Sequence, residues 1–109
     1  MDEIRSLAKE GQALLEQART QTSGRSSSSL VHSDRQRAVL IALTSGSGLS
    51  EHDSPPAATL QVVSGRARLY VADDGPEWLL DEGDLVPIPQ ERHGVDALSD
   101  TVLLLTVSL

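Results

Sequence analysis

Gly46–Gly65 reads GSGLSEHDSPPAATLQVVSG. It opens on a Ser45-Gly46-Ser47-Gly48 turn and carries His52 where one apolar strand gives way to the next. It breaks at Pro55-Pro56, runs as a strand from Ala58 to Val63, and closes on Gly65, which starts a further strand. Two adjacent prolines supply no N–H to a ladder, so they mark a loop or bulge between strands. A second stretch, Gly83–Ala97 (GDLVPIPQERHGVDA), carries His93 in a similar setting. The expectation is a small β-barrel that brings the two stretches together.

Around them the chain reads in short apolar runs and in period two. Ala38 to Leu43 is a strand. Arg66 to Val71 alternates, with Ala67, Leu69 and Val71 on one face and Arg66, Arg68 and Tyr70 on the other. Asp73-Asp74-Gly75-Pro76 is a hairpin turn, followed by a short strand from Glu77 to Leu80, in which Trp78 is the largest apolar side chain. Asp81 to Asp84 is another turn, Leu85 to Ile88 a strand edged by Pro87 and Pro89, and Gly94 to Ala97 and Thr101 to Leu109 complete the set. About eight strands with a turn roughly every 6 to 12 residues argue an antiparallel sandwich or barrel.

The N-terminal part, residues 1–22, is different. Ile4, Leu7, Ala8, Gly11, Leu14, Leu15 and Ala18 fall at steps of three and four, the spacing of an amphipathic helix, with Asp2 as N-cap. Gly11 in its middle costs about 1 kcal/mol against Ala and fits a helix packed closely on a neighbour. Residues 23–36 form a polar bridge, and its serine run (RSSSS, 25–29) reads equally as linker or as edge strand. Residues 37–109 form the β domain.

The totals bound the function. A chain of 109 residues is one domain with one core. That core is aliphatic, because there is one Trp, one Tyr and no Phe. With no cysteine, there is no disulfide, thiolate metal site or Cys nucleophile. The net charge of −7 and the scattered basic residues argue against a nucleic-acid partner. The acidic N-terminus is no signal peptide and no apolar run is long enough to span a membrane, so a cytoplasmic protein with no membrane partner is expected.

With these residues in place, the chain resembles the cupin superfamily, the small jelly-roll barrels. In the first cupin motif, Gly46, His52 and Gly65 stand at the motif's spacing, Ser54 takes the position of the second His and Ala58 that of the Glu. In the second, Gly83 and Pro89 match, Glu91 stands at the Gly position, His93 comes one residue early, and Ala97 stands at the Asn position. The whole chain is similar to short single-domain cupins with an N-terminal helix, which share its His52–Pro55 loop, the Ala58-Thr59-Leu60-Gln61-Val62 strand and the closing Leu104-Leu105-Thr106-Val107 strand.

The resemblance implies a mainly β fold, an antiparallel jelly-roll barrel preceded by one α-helix. It also implies a metal site of three His and one Glu, of which two positions are kept, His52 and His93. A neutral Ser54 hydroxyl is a poor ligand and Ala58 is none, so no resident cofactor is expected beyond weak occupancy by Zn, Ni, Fe or Mn. Glu51 and Asp53 flank His52 and face away from it on a regular strand, a facing that the loop at Pro55-Pro56 can alter, and His32 is a further candidate that could reach a rim. The leading functional expectation is a small molecule bound in the barrel interior, lined by Ala58, Leu60 and Val62, with His52, Ser54 and His93 as polar contacts. A metal-dependent dioxygenase or isomerase is the first alternative, and a structural or partner-binding module the second. A homodimer is expected, with the helix stripe and residues 26–31 as candidate contacts.

Overall fold

The computed structural model describes residues 4–109, so Asp2 lies outside the described residues. The helix, α1 (Leu7–Arg19), is capped instead by Ser6, whose hydroxyl accepts the Lys9 N–H at 3.4 Å. Nine strands follow: β1 (Arg25–His32), β2 (Gln36–Leu43), β3 (Gly48–His52), β4 (Ala57–Ser64), β5 (Ala67–Val71), β6 (Glu77–Leu80), β7 (Leu85–Pro87), β8 (His93–Ala97) and β9 (Thr101–Ser108). Residues 25–32, open between linker and strand from sequence, are a strand.

The strands form two antiparallel sheets, ordered β1-β2-β9-β4-β7 and β3-β8-β5-β6. They pack face to face in a jelly roll. Ile41, Leu43, Leu60, Val62 and Leu103 from the first sheet meet Ala67, Leu69, Leu80, Val95 and Ala97 from the second. The central strands of the five-stranded sheet are buried on both faces. Their alternate residues, Leu40, Ala42 and Val102, pack under Leu14, Leu15 and Ala18 of α1. That double burial explains why β2 and β9 read as nearly unbroken apolar runs, like the strands of a sheet covered on both sides.

The helix stripe therefore covers its own sheet. Gly11 is the point of closest approach: a Cβ there would stand 2.9 Å from Val102 Cγ1. The weak helix former at this position is what lets α1 lie flat on β9. The polar face of β1 joins in, with Ser26 donating to Gln17 Oε1 at 3.0 Å. β1 pairs with β2 along one edge and, among the described residues, has no strand on its other.

Two turns set the geometry of the corners. The chain leaves β4 for β5, and one sheet for the other, at Gly65, whose φ is +90° and whose missing Cβ would fall 2.3 Å from the Asp100 carbonyl oxygen. The β5–β6 hairpin turns through Asp73 and Asp74, both at φ 60°, the left-handed pair of a type I′ turn. Trp78 is 38% exposed on β6, an edge strand, rather than a centre of the core. No described helix is long and apolar enough to cross a membrane.

Candidate functional site

His52 and His93 are brought together by strand pairing. β3 and β8 are antiparallel, with Leu49 opposite Val95 and His52 opposite His93. Three steps on β3 are matched by two on β8, so a bulge lies between Leu49 and His52. Without that extra residue the odd spacing would turn His52 away from the face that Leu49 shares with the core. With it, His52 joins His93 on the inner face, and Glu51 is left on the outer one.

The two rings meet edge to face, with centroids 4.6 Å apart and planes at 64°. Each is held in the same way. His52 Nδ1 lies 2.8 Å from the carbonyl oxygen of Ser50, and His93 Nδ1 lies 2.9 Å from that of Glu91. A carbonyl oxygen only accepts, so each Nδ1 is the donor, and a ring in its neutral form keeps its lone pair on Nε2. The pair is asymmetric in burial: His93 is 2% exposed, whereas His52 is exposed at the end of β3.

The opposite wall is set by register. On the inner face of the five-stranded sheet, Val62, Leu103 and Ile41 form one row, Leu60, Leu105 and Val39 the next, and Ala58, Val107 and Arg37 the third. The first row is buried throughout. In the second, Leu60 is buried while Leu105 and Val39 are half-buried, and all three residues of the third are half-buried. Burial thus declines toward the end where the loop from His52 enters β4. There Gln90 reaches the Pro56 carbonyl at 3.4 Å, and the Ala58 carbonyl accepts the Ile88 N–H at 2.9 Å.

The sequence-derived candidates fall into two groups. His52 and His93 stand together, and Ala58 lies at the margin of the core, half-buried. Leu60 and Val62, 1% and 0% exposed, belong to the packed core itself, where they support the site from below. Ser54 lies past the end of β3 and donates its hydroxyl to the Pro55 carbonyl at 2.9 Å, so it does not extend the strand face of His52. Arg37, Leu105 and Val107 were missed as interior positions. Counting by twos back from Ile41 and forward from Leu103 would have found them.

The donor set does not fit a tight metal centre. Among the described residues no group of three or more His, Cys, Asp or Glu side chains stands where it could hold an ion. His32 pairs with Arg37 at the open end but stays exposed on the edge strand. Asp53 faces Arg92 at 3.4 Å. Two imidazoles fall short of the three protein ligands that a catalytic metal site usually supplies.

The outer face of the four-stranded sheet has its own cluster. Arg68 lies 4.5 Å over the Tyr70 ring, pairs with Asp96 at 2.7 Å and also pairs with Glu77. Tyr70 crosses Gly94, where a Cβ would meet its hydroxyl at 2.5 Å. Burial raises the Tyr70 phenol above its ordinary pKa, and the carboxylates of Asp96 and Glu51 add to the effect.

No protein-family model matches this sequence, and no curated protein does either. Solved structures do match in shape. A conserved protein of unknown function from Streptococcus pyogenes superposes with a TM-score of 0.76 at 20% identity, over 99% of this chain and 88% of that one. A cupin superfamily protein from Desulfitobacterium hafniense gives 0.71 at 20% identity, over 78% of this chain and 77% of that one. An RmlC-like cupin from Shewanella frigidimarina gives 0.70 at 25% identity, over 79% and 77%. The fold is that of the cupins. Within this fold the two stretches Gly46–Gly65 and Gly83–Ala97 each bring one histidine to the site, His52 and His93.

Proposed function

We propose that this protein binds a small organic molecule at the open end of the space between its sheets, with the His52–His93 pair as the polar anchor. The observation that carries this reading is the matched restraint of the two rings. Each Nδ1 is committed to a backbone carbonyl two residues upstream, and the rings touch at 4.6 Å. The lone pair left on each Nε2 would accept from a hydroxyl or amine, while the half-buried Ala58, Leu105 and Val107 offer apolar contact.

The metal-dependent alternative is less well supported, because Ser54 and Ala58 stand at two of the four ligand positions that the resemblance implies and no group of three or more ligating side chains occurs among the described residues.

A thermal-shift screen of hydroxylated and amine-bearing compounds tests the proposal. Compounds that raise the melting temperature of the parent, and lose that effect in His52→Ala, support it. A screen whose stabilising compounds act equally on His52→Ala and on the parent would sink it.

A further inference from the structure

Among the described residues β1 is an edge of the five-stranded sheet and β3 an edge of the four-stranded one. A groove of about 350 Å³ lies between them, lined by Ser23, Arg25, Ser27, Val39, Ile41 and Leu49 among others. Its volume falls in the range of roughly 300–1,000 Å³ that small-molecule sites occupy. It is separate from the histidine end. Arg25 pairs in register with Leu43, at the far end of β2 from Arg37.

The charge in this groove is unusual for the molecule. Arg5, Arg19, Arg66, Arg68 and Arg92 each hold a carboxylate. Arg25, Arg35 and Arg37, all on the β1–β2 hairpin, hold none among the described residues, although the chain has 16 acidic residues and a net charge of −7. Arg25 stands on the inner face of β1. Ser23 accepts the Arg25 N–H on its oxygen at 3.3 Å, which leaves its own O–H free to donate. The groove therefore carries a guanidinium and two hydroxyls beside Val39 and Ile41 on the same sheet face, with Leu49 supplied by the other sheet.

We propose that this groove binds a small monocarboxylate with an apolar body, its carboxylate on Arg25, Ser23 and Ser27 and its hydrocarbon on Val39, Ile41 and Leu49. A guanidinium matches a carboxylate with two parallel hydrogen bonds, and the adjoining apolar wall excludes fully hydrated inorganic anions in favour of amphiphilic ones. An acidic protein repels anions at long range, so the site selects by contact chemistry rather than by steering.

The test uses the full chain, with sodium hexanoate and benzoate as probes and benzyl alcohol as the uncharged control, followed by methyl and amide NMR. Both carboxylates are expected to shift Val39, Ile41 and Leu49 saturably, and benzyl alcohol to bind at least about tenfold more weakly, the loss expected for a charged hydrogen bond. Arg25→Gln, whose spectrum should otherwise match the parent, is expected to weaken the carboxylates by about the same factor. The His52→Ala/His93→Ala double variant should bind them as the parent does, which separates this proposal from that for the histidine end. Equal binding of acid and alcohol, unchanged affinity in Arg25→Gln, or shifts confined to the histidine end would overturn it. So would concentration-dependent broadening of the groove signals without probe, which would place a second copy of the chain there.

Discussion

His52 and His93 lie directly opposite each other on paired strands, yet only one of them is buried. Their rings are 4.6 Å apart, with His93 at 2% exposure and His52 in the open. The inner ring belongs to the packing as well as to the site; the outer one belongs mainly to the site. His93→Ala should therefore cost about 1–3 kcal/mol of stability, whereas His52→Ala should stay within about 0.5 kcal/mol of the parent. Urea unfolding of both variants checks this, and equal losses would count against the asymmetry.

The helix is a structural layer of this domain. Leu14, at 6% exposure, packs over Leu40 and Val102, so Leu14→Ala should cost about 2–5 kcal/mol. Gly11→Val should also destabilise, by about 1–3 kcal/mol, because its branched side chain must displace Val102. Removal of residues 1–24 should lower the melting temperature and expose the apolar Leu40–Ala42–Val102 face to a hydrophobic dye. An unchanged melting curve would mean that the helix does not cover this sheet.

Gly65 is fixed by backbone rather than by a movable side chain. A Cβ there would stand 2.3 Å from the Asp100 carbonyl, at a φ of +90°. Gly65→Ala should destabilise by more than about 1 kcal/mol. Gly46 and Gly83, also at positive φ, have open space where a Cβ would go, so alanine there bears only the conformational strain. The order of the three variants in denaturant midpoint tests this.

Asp100 ties the helix to the β2–β3 turn. It accepts the Ser45 N–H at 2.9 Å and the Arg19 guanidinium at 2.9 Å, and these bonds, the backbone one foremost, hold its carboxyl below the usual range. A lowered folded pKa stabilises the protein above the unfolded value of about 3.9, and that contribution is lost as pH falls through the lower folded value. Asp100→Asn should therefore flatten the stability profile at the acid end of the titration, below about pH 4, and change its shape little near neutrality.

Tyr70 is the sole tyrosine, so phenolate absorbance reports on it alone. Its titration should lie above the ordinary value of about 10 and move down in Asp96→Asn and in Glu51→Gln. A midpoint that ignores both carboxylates would contradict the arrangement on the outer face.

The parts of the fold legible in the sequence are those in which one element carries its own pattern. The α1 stripe and the alternation of β5 are examples, and so are the proline and glycine breaks around both histidines. β1 and β3 were harder. Arg25–Ser29 has no apolar alternation, and its strand identity comes from register with β2 rather than from its own residues. Gly48–His52 has one apolar residue, Leu49, and a bulge, so neither its existence nor its facing follows from period two. For the site, the sequence placed His52 and His93 in matching settings. It could not show that Ser54 leaves the strand or that Leu60 and Val62 sink into the core, because both depend on how the loop at Pro55-Pro56 crosses between sheets.

The most direct test of the histidine site is a long-range 1H–15N spectrum of the imidazoles, recorded with and without small hydroxyl-bearing fragments. The account predicts Nδ1-protonated rings for both residues in the free protein at a pH where they are neutral. It also predicts fragments that shift the Nε2 signals of both together. Nε2-protonated tautomers, or fragments that bind without moving either Nε2 signal, would contradict it.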